Sequence, residues 1–438
     1  MSDEHRPVPS RRRQRFGKMA RLAGGVAGGM LAEGARQLRS GNRLRTKDLL
    51  LTPANARRLT KQLSEMRGAA MKLGQILSMD GGDFIPRELS DIMATLRSAA
   101  FAMPSHQLEQ MLIEAFGSDW RDTLSDFEEK PFAAASIGQV HRLRVRGGRE
   151  AVLKVQYPGI AESIDADVDN LTTLLKLSGL LPPQIDIKPL LVEVKQQLHE
   201  EADYRLEAKH LTAFNRALGD DERFLLPKVI PSLSSERVLG MTYVPSAPIE
   251  AVLDEDQEER DRVMSLLLEL LLVELFDLRM AQTDPNFANY RYNTESGQVV
   301  LLDFGATRRF RAAFTHAYRD LLKATLEADR DAMAKAASVV GYSIGPEGSR
   351  YRELVLDAIQ IALEPIMEDR PYDFAASPMS ERLAVLGQDL REYKSFWEAP
   401  PVDAAYVHRK IGGLFLMAQR LEARVNVNAL LLPWVQNA

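Results

Sequence analysis

Cysteine is absent from this 438-residue chain. Its absence excludes a disulfide framework, a thiolate zinc or iron–sulfur site and a cysteine nucleophile. Long apolar runs are missing too. The stretch Leu22 to Ala32 is eleven residues, where a membrane-spanning helix takes ~20. The leucine-rich segment from Ser265 to Phe276 is interrupted by Glu269 and Glu274 and followed by Asp277, so it reads as a buried core helix. No repeat of 20–50 residues is visible, which sets aside solenoids and propellers. A secretory signal is not expected, because Asp3 and Glu4 precede the first basic run and no small-residue cleavage site follows it. What remains is 45% apolar and 27% charged residues, the balance of a folded chain. The length is about three times a ~150-residue domain and needs no covalent staple.

Charge is unevenly spread. The first fifty residues carry 12 Lys/Arg against 4 Asp/Glu, in a chain of formal net charge −5, so the remainder is acidic. Arg11, Arg12, Arg13, Arg15, Lys18 and Arg21 lead directly into the apolar segment holding Gly24, Gly25, Gly28 and Gly29. An arginine run abutting a short apolar, glycine-rich stretch suits an anionic membrane surface or a partner helix better than nucleic acid.

The pattern expects helices from Pro53 to about Phe127, then a hairpin with Val140–Val145 and Ala151–Val155 joined through Gly147-Gly148. Helices are expected from Ile164 to Ala217. Strands follow near Phe224–Val229 and Arg237–Tyr243, a long helix from Gln257 to about Met280, a strand at Val299–Leu302, and helices to the end.

The chemistry concentrates in two segments. Asp284-Pro285-Asn286-Phe287-Ala288-Asn289 places an asparagine five residues after an aspartate, and Leu301-Leu302-Asp303-Phe304-Gly305 ends an apolar strand in an aspartate 19 residues further on. Phosphoryl transfer needs an acid at the nucleophile and oxygen ligands for the magnesium on the phosphates, and kinases supply them in this order. Asp284 is therefore the catalytic candidate, with Asn289 and Asp303 as metal ligands. Upstream, Lys154 ends the strand run Ala151-Val152-Leu153-Lys154, where a kinase places the lysine that meets the α/β-phosphates and a helix glutamate. Glu207 is the candidate partner, 53 residues on, a gap that implies inserted helix. The loop before Lys154 reads Ala133, Ala134, Ala135, Ser136, Ile137, Gly138, Gln139, Val140. Alanines stand where a kinase has glycines, and their stiffer backbone alters how phosphate is positioned. Lys72 and Gln75 flank Gly74 at i and i+3, a spacing that puts both on one helical face and lets them point together at a site.

These residues resemble the UbiB (AarF) family of atypical protein-kinase-like ATPases. The resemblance runs from about Pro53 to Val427 and rests on Lys72, Gly74 and Gln75, the alanine-rich loop, Lys154, Glu201, Asp203 and Glu207, and Asp284, Asn289 and Asp303. The segments Gln282-Thr283-Asp284-Pro285-Asn286 and Asp303-Phe304-Gly305-Ala306-Thr307-Arg308 look most like the mitochondrial coenzyme Q kinase branch. The resemblance implies an α+β, bilobal protein-kinase-like fold with a helical N-terminal extension and a helix-rich C-terminal lobe. It divides the chain into a basic segment (1–50), a helical extension (51–130), an N-lobe with inserted helices (131–245) and a C-lobe (246–438).

It further implies ATP and Mg2+ as cofactors, with Glu201 and Asp203 near the nucleotide, and Lys72 and Gln75 on helices covering the place of a protein substrate. The implied role is ATP turnover in support of ubiquinone biosynthesis. Implied partners are ATP/ADP, prenyl-quinone intermediates or ubiquinone-biosynthesis proteins, and an anionic membrane surface, with no nucleic acid and no stable protein substrate. The expected location is cytoplasmic and peripherally membrane-associated. The residues leave open a nucleotide-sensing interaction protein without essential turnover, and a small-molecule or lipid phosphotransferase.

Overall fold

The computed structural model describes residues 103–177 and 188–436, apart from 125, 136, 146, 394, 395 and 397–399. The basic segment, the part of the helical extension up to residue 102, with Lys72, Gly74 and Gln75, and Ser136 lie outside the described residues. The chain falls into two units. Of the described residues, the first holds those up to Lys209 together with Lys228–Tyr243, and the second holds His210–Pro227 and those from Val244 onward.

In the first unit, four strands form an antiparallel sheet in the order Ala133–Ala134, Gly138–Arg144, Glu150–Gln156, Val238–Thr242. The expected hairpin is present, with Val140 opposite Lys154 and Arg144 opposite Glu150. Its turn passes through Gly147 and Gly148 at φ 93° and 76°, a left-handed conformation that glycine adopts without strain. Strand alternation then decides which side chains go where. Ala151, Leu153 and Val155 enter the core formed by Leu108, Met111 and Leu112 of helix Ser105–Phe116, with Trp120, Tyr204 and Leu239. Lys154 is left on the opposite face. A register slip of one residue would bury the lysine among leucines. Helices Ile164–Leu177 and Lys188–Glu201 follow, with an ion pair from Lys195 to Asp169 at 2.7 Å.

The second unit is mostly helical. Helix Gln257–Leu272 starts at Asp256, whose side chain accepts the Glu259 N–H at 2.9 Å, and buries Leu266, Leu267, Leu270 and Leu271. It is a core helix, as expected, but it ends eight residues earlier than its pattern suggests. The chain passes into a wider turn over Val273–Asp277, closed by Leu278 N–H donating to the Val273 carbonyl, and Arg279 at φ 47° reverses direction. Met280–Gln282 is then a strand paired with Thr307–Arg309. The apolar spacing continues through Leu275 and Phe276, both buried, so periodicity alone could not register the change.

A second sheet is ordered Phe224–Leu225, Gln298–Leu301, Tyr290–Asn293, Ala247–Pro248. Helices Ala312–Leu326, Arg330–Val340, Arg350–Ala362, Met379–Leu390, Val402–Arg420 and Val427–Gln436 complete the unit. The α+β, helix-rich class expected from the sequence is the observed one. Among the described residues no helix is long and apolar enough to cross a membrane.

Candidate active site

In the first unit Lys154 Nζ lies 2.8 Å from both carboxylate oxygens of Glu207. The two residues are only 7% and 3% exposed. Glu207 sits in the first turn of helix Tyr204–Leu218, where the helix dipole favours an anion. That helix is started by Asp203, whose Oδ1 accepts the Arg205 N–H at 3.0 Å. Asp203 thus has a structural task beside any nucleotide role. Glu201 is buried at the end of the preceding helix, and the next residue's carbonyl, on Ala202, accepts from Gln156 Nε2 at 2.8 Å, tying this segment to the end of the Lys154 strand. Lys72 and Gln75 lie outside the described residues, so their expected place over the substrate site does too.

The alanine-rich segment is a tight reversal. Ala133 pairs with Val140 and Ala134 with Gln139, and Ala135 N–H donates to the Gly138 carbonyl at 2.9 Å. The Ala133 and Ala134 methyls are exposed, Ala135 and Val140 are partly buried, and Ile137 packs into the core. Gly138 is needed for close approach. A Cβ there would lie 2.5 Å from the Val155 carbonyl oxygen and 2.6 Å from the Tyr204 hydroxyl. Gln139 is turned inward, with Oε1 accepting the Met103 N–H and Nε2 donating to His141 Nε2, both at 2.8 Å. His141 Nδ1 donates to the Glu128 carbonyl at 2.8 Å, so the neutral ring satisfies both nitrogens, and burial holds its pKa below the ordinary value.

In the second unit, the two-stranded sheet brings the other candidates together. Gln282 is opposite Thr307, and Thr283 donates to the Ala306 carbonyl from its N–H at 3.0 Å and its hydroxyl at 2.7 Å. The loops carrying Asp284 and Asp303 therefore leave the sheet side by side. Asn289 Nδ2 donates to the Asp284 carbonyl at 3.0 Å, and Leu302 N–H donates to the Asn289 carbonyl at 2.9 Å. Asp303 holds φ 54°, an unusual value for a non-glycine, and its Oδ1 accepts the Gly305 N–H at 3.1 Å. Phe304 is buried against Phe214, ring centroids 4.7 Å apart, and its carbonyl accepts from His210 Nδ1 at 3.2 Å.

Three contributors escaped the sequence reading. His210 and Phe214 hold Phe304, and both sit in a helix chosen for its glutamate alone. Arg409, on helix Val402–Arg420, is buried and donates from Nη2 to Asp284 Oδ1 at 2.8 Å. The same helix lies on Pro285 so closely that a Cβ on Gly413 would fall 2.0 Å from the proline Cβ. The available signal was the compact run Arg409-Lys410-Ile411-Gly412-Gly413, in which two glycines interrupt a helix at a propensity cost of roughly 1 kcal/mol each.

Among the described residues no group of three or more His, Cys, Asp or Glu is arranged as a metal cage. Magnesium does not call for one, since it keeps waters and is held by one or two protein oxygens plus phosphates. The amide oxygen of Asn289, with its nitrogen engaged on Asp284, and the carboxylate of Asp303 are hard donors of that kind.

Residues 95–337 match the ABC1 atypical kinase-like domain. The protein called "Atypical kinase COQ8B, mitochondrial" from Danio rerio is 37% identical over 99% of this chain and 70% of its own length, and the Rattus norvegicus protein of that name is 38% identical over 96% and 80%. "Atypical kinase COQ8, mitochondrial" from Saccharomyces cerevisiae is 34% identical over 96% of this chain and 84% of its own. Among solved structures, the complex of Rv3197 with erythromycin from Mycobacterium tuberculosis superposes with a TM-score of 0.59 at 26% identity, over 86% of this chain and 94% of that one. The shared domain, the similarity to named kinases over nearly all of this chain and the kinase order of Lys154, Glu207, Asp284, Asn289 and Asp303 agree, and the chain belongs to the ABC1 atypical kinase-like family.

Proposed function

We propose that this protein binds magnesium–ATP and turns it over in support of coenzyme Q biosynthesis, working peripherally at a membrane. The observation that carries the nucleotide reading is the buried Lys154–Glu207 pair. An ammonium held on a strand by a helix carboxylate is poised for the α/β-phosphates. Burying two charges for stability alone gains little over an apolar pair, which favours a functional reason.

In this reading Lys154 meets the phosphates, Glu207 orients it, and the segment from Ala133 to Val140, Ser136 included, covers them mainly through backbone groups. Asn289 and Asp303 hold magnesium, which when bound neutralises charge on the β- and γ-phosphates. Asp284 faces the nucleophile, and Arg409 fixes the direction of its carboxylate. Lys72, Gln75, Glu201 and Asp203 limit what reaches the site. The short path from Gly305 through strand Thr307–Arg309 to helix Ala312–Leu326 gives little chain for docking a polypeptide, which favours a small or lipid acceptor, or water. The coenzyme Q assignment is supported by similarity to the COQ8 kinases, and prenyl-quinone intermediates are the partners it implies. The membrane assignment rests on the arginine run before Leu22.

Asp303→Asn tests the nucleotide reading cleanly, because asparagine tolerates a positive φ and leaves the loop intact. The variant is expected to stay folded and to lose magnesium-dependent ATP binding. Titration with magnesium–ATP at unchanged affinity removes Asp303 as a ligand. A quinone profile by mass spectrometry of cells lacking the protein, unchanged from the parent, would remove the coenzyme Q role.

A further inference from the structure

Lys410 and Glu274 form a second buried ion pair, each 1% exposed, with Nζ at 2.9 Å from Oε2 and 3.2 Å from Oε1. It is reached from no motif and lies in the second unit. Burial pushes the Glu274 carboxyl above its ordinary pKa, against the pull of the Lys410 charge. The wide turn at Val273–Asp277 is what turns Glu274 inward, and such turns recur at functional sites.

The pair does not end in itself. Glu274 Oε1 also accepts the Gln282 N–H at 3.1 Å. Gln282, 5% exposed, carries the link onward, its Nε2 donating to the Asp284 carbonyl at 2.8 Å while its Oε1 faces the Tyr290 hydroxyl at 3.4 Å. Lys410 Nζ in turn stands 5.4 Å from the centre of the Tyr290 ring. The Asp284 carbonyl thus receives two donors, Gln282 and Asn289, and one of them is anchored on a fully buried charge. A connected buried network of this kind restricts the arrangements open to the loop more than apolar packing does.

We propose that the Lys410–Glu274 pair, acting through Gln282, positions the loop from Asp284 to Asn289 for catalysis. This rests on the assignment of Asp284 as the residue at the nucleophile. Three positioning residues are named, none of which touches the reacting atoms: Glu274, Gln282 and Lys410.

Two double variants separate positioning from stability. Glu274→Leu with Lys410→Met replaces the pair by apolar groups and removes the acceptor for the Gln282 N–H. Glu274→Gln with Lys410→Met also removes both charges but keeps an amide oxygen for that N–H. The leucine–methionine protein is expected to lose about tenfold in kcat for ATP hydrolysis with KM for magnesium–ATP within about twofold, and the glutamine–methionine protein to recover to within about threefold of the parent. Gln282→Glu, which removes the donor to Asp284, is expected to match the first. Hydrogen exchange across residues 283–289, read without nucleotide, should accelerate in the first and third proteins and not in the second. Equal kcat and equal exchange in the two double variants would overturn the proposal, as would a rise in KM that accounts for the whole loss. A parent protein that hydrolyses no ATP would count against the assignment of Asp284 instead, and the exchange comparison would still decide whether the network holds the loop.

Discussion

Both units bury a lysine–glutamate pair, and the two pairs differ in setting and in enclosure. Lys154 and Glu207 come from a strand and a helix start, and the lysine keeps 7% of its surface exposed. Lys410 and Glu274 come from a helix and a wide turn, keep 1% each, and pass their constraint to backbone through Gln282. An ammonium that must exchange contacts with a phosphate cannot be sealed in completely, while one that only holds a loop can be. On the proposed roles, degree of enclosure, more than the presence of a pair, separates a binding group from a supporting one.

The largest expected effects break each pair from one side. Lys410→Ala leaves a carboxylate fully enclosed and should destabilise by about 3–5 kcal/mol, and Lys154→Ala should fall at the lower end of that range because water reaches its partner more easily. Chemical denaturation of the two variants measures the difference. Equal losses, or a larger loss at Lys154, would contradict the distinction drawn from enclosure. Magnesium–ATP binding should be lost in Lys154→Ala and kept in the folded fraction of Lys410→Ala.

A smaller effect tests the helix that delivers Lys410. Gly413→Ala forces a Cβ against Pro285 and should destabilise by roughly 1–3 kcal/mol. Gly412→Ala, where nothing lies within 4 Å, should be neutral or stabilise by about 0.5–1 kcal/mol through helix propensity. If the neighbouring glycines behave alike, the close seat of this helix on the Asp284–Pro285 loop is wrong.

The smallest effect belongs to the first unit. His141 is neutral and fully used in the fold, and burial keeps its pKa below 6.5. The unfolded chain takes up a proton first, so this contribution to stability is complete above about pH 6.5 and declines as pH falls toward the lowered folded value. The slope is at most about 1.4 kcal/mol per pH unit for one proton. Melting temperatures between pH 7.5 and 5.5 should fall more in the parent than in His141→Gln, and identical curves would dismiss the effect.

Much of the first pair was readable in the chain. The strand run Ala151-Val152-Leu153-Lys154 singled out the lysine, and the order of Asp284, Asn289 and Asp303 picked out kinase chemistry. The kinase pairing of a strand lysine with a helix glutamate pointed to Glu207, which spacing alone left as one more charge on a helix. The second pair was silent for a definite reason. Glu274 lies inside a leucine run whose periodicity continues past the true helix end at Leu272, so it registered only as a break in an apolar pattern. Lys410 is 136 residues from Glu274, and Arg409 is 125 from Asp284.

The sequence by itself determined the class of fold, the hairpin and the candidates for the reacting groups, because strand and helix periods and motif spacings are local properties of the chain. Tertiary structure decided which charge faces which, that His210 and Phe214 hold Phe304, and that Gln139 turns inward to His141. Those outcomes depend on packing between segments that no local pattern relates, and a buried charge finds its partner only when packing has excluded water from both.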